Sequence, residues 1–223
     1  MKESWEKARS KYDWTVDLRD FKHKDNYEGY FNEVIDNENT LSFENKFKLS
    51  LESEQTFVTA GEVCFWKNYG SHLSRDKLTN SLLKLLAQDK KWETYVYSLV
   101  ELATTPTFEN IDSFRKACGQ PNGFATPVTF RSFYNPNAYP MVDKIIGFWW
   151  NAHKAEYWKS NAPNFLQRDG DGWLGLNEQN WNAYLEWTNF CREYSTLLNW
   201  RARDVEMAVW EAQKRKVPLS CLL

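Results

Sequence analysis

The chain has 223 residues and a mass of 26.5 kDa, enough to bury a substantial core in one large domain or two small ones. Aromatic residues make up 17% of it, with twelve Trp, so a mean hydropathy of -0.69 reflects polar surface and excludes a chain that is disordered throughout. A formal net charge of -2 and a pI near 6.0 argue against non-specific coating of nucleic acid and leave a local basic face open.

No apolar run approaches the roughly 20 residues of a membrane-spanning helix, and Met1-Lys2-Glu3-Ser4-Trp5-Glu6-Lys7 has no signal-peptide core. The expectation is a soluble, intracellular protein, cytoplasmic or nuclear, with no membrane partner. Cys64, Cys118, Cys191 and Cys221 are isolated, with no Cys-x-x-Cys pairing, so neither a zinc site nor a disulfide framework is indicated. Cys221 is third from the end, which excludes a prenylation box.

Along the chain, Trp5, Ala8 and Tyr12 fall at helical spacing, and Trp14-Thr15-Val16-Asp17-Leu18 is too short and isolated to assign as a strand. Residues 20–40, rich in Lys, Asp, Asn and Glu, read as an exposed helix bounded by loops. From about Ser42 to Ala103 the pattern is helical throughout. Phe57, Ala60, Gly61, Cys64 and Phe65 form one buried stripe, Leu78, Leu82, Leu83, Leu85 and Leu86 a second, and Tyr95, Val96, Leu99, Val100 and Leu102 a third. Turn material at 68–71 and 88–90 separates them. Thr107 or Asn110 can cap a short helix that carries Ile111, Phe114 and Ala117 and ends at Gly119. Helices are expected from about Lys144 to Lys159, over 177–198 and over 202–215. The fold class is all-α, a multi-helix globule read as a single helical domain over 1–223 or as two packed lobes, with the candidate site at 119–143.

That site begins with Gly119-Gln120-Pro121-Asn122-Gly123-Phe124-Ala125-Thr126-Pro127, a tight turn running into a helix with Pro in its first turn. Pro lacks an N–H, the first-turn amides are unpaired in any helix, and Gly123 permits close backbone approach, so the segment can seat a phosphate as well as simply turn a corner. After the helix come Asn135-Pro136-Asn137-Ala138-Tyr139-Pro140-Met141-Val142-Asp143 and a second helix. Asp143 fits a helix N-cap, and the same carboxylate can serve a cleft.

The stretch from Asn122 to Asp143 resembles the hairpin and acid-bearing segment of helix-hairpin-helix DNA glycosylases. The segment Arg203-Asp204-Val205-Glu206-Met207-Ala208-Val209-Trp210 is similar to the closing helix of a branch of such all-helical proteins. In helix order the likeness covers residues 55–215. It implies a helix-hairpin-helix glycosylase fold, DNA as partner, no cofactor, and Asp143 as the carboxylate that promotes loss of a damaged base. It also implies DNA contacts from Gly123, Phe124, Ala125, Thr126, Arg131 and Lys144, with Trp149 or Trp150 stacking a flipped base; core packing is the other role open to those two tryptophans. Arg115, Lys116 and Lys154 are further basic residues near the hairpin in sequence. The family hairpin Leu-Pro-Gly-Val-Gly is here Gly119-Gln120-Pro121-Asn122-Gly123, and Ala125 stands where bifunctional members carry a Schiff-base Lys. A covalent imine at that position is therefore excluded. The resemblance implies a monofunctional N-glycosylase or, alternatively, an inactive all-helical module that binds a protein partner.

Residues 167–178 match a calcium-binding loop in part, with Asp169 and Asp171 supplying oxygens, Gly172 the turn, Leu174 the apolar contact and Glu178 bidentate closure. Gln167 replaces the first Asp, and Pro163 interrupts the entering helix. The alternative is an Asp-Gly turn followed by a helix capped by Asn177, with no metal.

Overall fold

The structure is a computed structural model that describes residues 2–20, 34–35, 37–51, 56–71, 89–117 and 123–222. The chain is all-α: its described residues form nine α-helices and one two-stranded ribbon. The expected leucine stripe of 78–86 and the turn Gly119–Asn122 lie outside the described residues. By contact the chain divides into two compact units, Met1–Tyr12 with Asn122–Val128 and Asn135–Leu223, and Asp13–Pro121 with Thr129–Tyr134.

The first unit contains α1 (Lys2–Ser10), the start of α6 (Ala125–Tyr134), α7 (Lys144–Tyr157), α8 (Glu178–Leu198) and α9 (Ala202–Arg215). Helix α9 is its centre and packs against α1, α7 and α8. The sequence dictates that role: from Ala202 to Ala212 only Asp204 escapes burial, and seven of the other ten residues are apolar, the charged exceptions being Arg203, Glu206 and Glu211. A ring cluster of Trp149, Trp150, Trp187 and Phe190 fills the space between α7 and α8, with Trp187 and Phe190 stacked at 5.3 Å. Helix α8 ends at Asn199, whose left-handed φ of 60° lets Trp200 N–H reach the Ser195 carbonyl at 2.8 Å.

The second unit holds α2 (Asn37–Ser50), α3 (Thr56–Lys67), α4 (Asp89–Thr104), α5 (Phe108–Ala117) and the remainder of α6. Its core is a phenylalanine lattice: Phe47 and Phe114 meet Phe130, while Phe43 and Trp66 meet Phe133, at centroid distances of 5.0–5.7 Å. Every residue from Thr59 to Trp66 is buried, so this stretch of α3 is enclosed all round and the expected Ala60, Gly61, Cys64 and Phe65 are only part of its contact surface. Glu62 lies within that enclosure and takes Lys46 Nζ of α2 at 3.1 Å.

Two expectations are corrected here. Val16–Asp17 pairs antiparallel with Val34–Ile35, so strand β1 exists and residues 34–35 are its partner β2 rather than part of an exposed helix. Helix α2 then begins at Asn37, and Thr40, Phe43 and Phe47 are buried. Of the two possible caps on α5, Thr107 serves: its Oγ1 accepts from Asn110 N–H at 3.2 Å.

Candidate functional site

The approach to Asp143 is held from α8. Tyr184 donates its hydroxyl to the Pro140 carbonyl at 3.0 Å, and Trp187 donates its indole N–H to the Met141 carbonyl at 2.9 Å. Residues 184 and 187 are i and i+3, so they rise from one face of α8 and grip successive peptides of an extended run. Met141 and Val142 are buried, which leaves Asp143 at the edge of the core as the residue that starts α7.

Asp143 caps that helix. Its Oδ1 accepts from Ile145 N–H at 2.9 Å and from Ile146 N–H at 3.0 Å. Its Oδ2 accepts from the Trp210 indole at 3.1 Å, a bond from α9 across 67 positions of sequence. Trp210 in turn meets Tyr12 edge to face at 5.6 Å. Arg203, fully buried, donates to the Tyr12 hydroxyl at 3.2 Å and pairs with Glu206, and its backbone N–H donates to the Pro136 carbonyl at 3.0 Å. Burial pushes the Tyr12 phenol up to about 12 despite the nearby guanidinium, so it stays protonated at neutral pH. The carboxylate of Asp143 is thus half-buried, three-fold hydrogen-bonded and backed by a rigid aromatic and ionic cluster.

The Gly123 end of the hairpin belongs to the same unit. Phe124 is fully buried and meets Tyr184 edge to face at 5.7 Å, so one tyrosine touches both the hairpin end and the approach to Asp143. Helix α6 begins at Ala125, and its first turn carries Pro127 as the sequence requires. Gly123 and Ala125 are partly exposed, whereas Thr126 is buried. Lys144 is exposed beside Asp143. Arg131 is buried at 5% exposure in the second unit, a position that does not suit a surface phosphate contact. Lys116 pairs with Asp112 at 2.5 Å, Arg115 pairs with the same carboxylate, and Lys154 bonds to the Ser160 carbonyl at 3.0 Å.

Trp149 and Trp150 are 4% and 0% exposed, with their rings in edge-to-face or tilted contact with Trp187 and Phe190, and Trp150 donates to the Pro163 carbonyl at 2.9 Å. Their observed role is core packing, and as packed they offer no free face to a base. Burial also pushes the thiol of Cys64 up to about 12 and that of Cys191 well above its ordinary range, so neither serves as a ready thiolate.

Residues 167–178 adopt the turn followed by a capped helix. Gln167 and Leu174 form an antiparallel bridge, and Gly170 and Gly172 turn the chain with φ of 88° and 68°. Asp171 is taken by the Arg168 guanidinium and by Trp173 N–H at 3.0 Å. Among the described residues no group of three His, Cys, Asp or Glu is placed to hold a metal. Asn177 caps α8 by accepting from Asn180 N–H at 2.8 Å, and Glu178 lies exposed in the first turn. The hairpin docks on α7 instead: Gln167 Nε2 donates to the Lys144 carbonyl at 3.0 Å.

Elsewhere in this unit an open concavity of about 750 Å³ is lined by Asn135, Asn137, Trp158, Lys159, Arg192 and Glu193 among others, and does not include Asp143. No helix among the described residues is long and apolar enough to cross a membrane. No family model, curated protein or solved structure matches the chain.

Sequence reasoning reached Asp143 through the Pro-x-x-Asp segment but not Trp210, Tyr12, Tyr184 or Trp187, which act as donors or packing partners around it. Tyr184 and Trp187 carried a usable signal, being aromatic residues with a polar tip on one helix face. Trp210 and Tyr12 carried none, because their partners are distant in sequence.

Proposed function

We propose that the chain is an intracellular DNA-binding protein, similar to helix-hairpin-helix base-excision glycosylases, and a monofunctional N-glycosylase that removes a damaged base. The observation that carries this reading is the Asp143 carboxylate, half-buried at the N-terminus of α7 and oriented by two main-chain amides and an indole. Its Oδ2 accepts one hydrogen bond where a carboxylate oxygen can accept two, which suits it to face a sugar or a water.

In the proposed reaction the C1′–N bond breaks and its electron pair leaves with the base, which takes up a proton. Asp143 stabilises the positive charge that develops on the sugar. Water oxygen then bonds to C1′ and loses a proton to the carboxylate, so the products are a free base and an abasic sugar. The exposed Lys144 suits a phosphate contact beside that acid. With Ala125 in the amine position no covalent imine forms there, so the strand is not cut by that route.

A second reading, an inactive module that binds a protein partner, is favoured by one observation: Trp210 already takes one of the two acceptor positions of Oδ2. The two separate on a panel of duplexes bearing oxidised, deaminated and alkylated bases, treated with alkali to reveal abasic sites. Base release that falls by about 100-fold or more in Asp143→Asn supports the enzyme. Release that survives Asp143→Asn overturns the mechanism, and no release from any duplex favours the second reading. DNA affinity should fall as salt is raised; an affinity indifferent to salt contradicts phosphate seating.

A further inference from the structure

We infer that Trp210 is a positioning residue for the Asp143 carboxylate, and that Tyr12 and Arg203 hold Trp210 in that role. The chemistry of this inference rests on the glycosylase reading; its geometry rests on hydrogen bonds alone.

The terminal torsion of an Asp side chain is broad, so a capping carboxylate is not fixed in plane by its rotamer. Two amides on Oδ1 restrain one oxygen, at 2.9 and 3.0 Å, and leave the other to turn about it. The indole at 3.1 Å removes that freedom because it arrives on Oδ2 from a different helix. An indole N–H is a donor only, so it addresses the carboxylate and never competes with it for a proton. With Oδ1 accepting two bonds and Oδ2 one, the acid keeps a single acceptor direction for a reactant.

The indole is itself immobilised. Trp210 is 9% exposed and lies against the ring of Tyr12. The Tyr12 hydroxyl accepts from Arg203, and the Arg203 guanidinium also stands 5.6 Å from the centre of that ring. Arg203 has no solvent-exposed surface and is tied by Glu206 and by its own N–H to the Pro136 carbonyl. The links from Arg203 to Trp210 are core contacts and the last one, to Asp143, lies at the core's edge, and a side chain held in this way orients the group it bonds to.

The test is Trp210→Phe, which keeps a ring against Tyr12 and deletes the donor. The expected results are an unchanged circular dichroism spectrum, a shifted carbon-13 resonance of the Asp143 carboxyl, and a kcat lower by roughly ten-fold with KM within about two-fold. A carboxyl resonance and kcat that both stay put overturn the inference. If the wild-type chain releases no base, the glycosylase reading fails separately, and the carboxyl resonance alone decides whether Trp210 positions Asp143. Should Trp210→Phe not fold, Asp143→Ser replaces it, since Ser still caps α7 but lacks the second oxygen. Hydrogen exchange at the Trp210 indole N–H should then quicken at least ten-fold or so relative to wild type, as expected when a buried donor loses its acceptor; an unchanged exchange rate overturns the inference.

Discussion

At the scale of single residues, one strongly perturbed carboxylate has a structural role. Asp204 opens α9 with its side chain 16% exposed, and accepts from Arg201 Nε at 2.8 Å and Arg9 Nη2 at 2.8 Å. Burial alone raises its pKa, but the two guanidinium groups outweigh burial and bring the value down to about 2. A folded value below the ordinary carboxylate range means that the stabilisation is fully present above pH 4 or so and is lost as pH falls toward 2. A depression of nearly two units corresponds to about 2 kcal/mol. Acid melts between pH 4 and pH 2 should therefore show a steep fall in Tm, and Asp204→Asn should lower Tm at pH 7 while flattening that fall. An acid profile identical in the variant would remove Asp204 from the account.

At the scale of elements, the hairpin before α8 depends on a glycine that no other residue replaces without strain. Gly172 has a φ of 68°, and a Cβ there would lie 2.8 Å from Cζ of Phe148. Phe148 is half-exposed and can swing away, so the backbone conformation is the larger part of the cost. Gly172→Ala should destabilise the fold by about 1 kcal/mol, read as a Tm lower by a few degrees. Helices α7, α8 and α9 were legible from sequence because each has an apolar face longer than three turns, and the first two have a side-chain cap in Asp143 and Asn177. The ribbon of Val16–Asp17 and Val34–Ile35 was not legible, since two residues carry no period and their pairing spans a long gap in sequence. The start of α2 was hidden by its polar composition, although Thr40 and Glu44 are buried. The candidate site divided along the same line: a cap such as Asp143 is a local signal, whereas the bond from Trp210 is set only when α9 packs.

At the scale of the whole molecule, the first unit is assembled from both ends of the sequence. Helix α1 lies on α9, Trp5 donates to the Ser220 carbonyl at 2.7 Å, and the Ser4 and Ser220 hydroxyls are 3.2 Å apart. Deleting residues 1–12 removes Trp5, Ala8 and Tyr12, all buried, and should abolish the near-ultraviolet signal of the aromatic cluster. A shortened protein that keeps that signal would show that the unit stands without α1. The adjacency of Ser4 and Ser220 also has a consequence in time. While the ribosome is still making the chain, α1 has emerged but its bed on α9 has not. Trp5 must wait for some two hundred residues before it can be covered, so this unit closes only once α9 has been made. Until then its earliest helix is an exposed, amphipathic segment of the kind that chaperones shield.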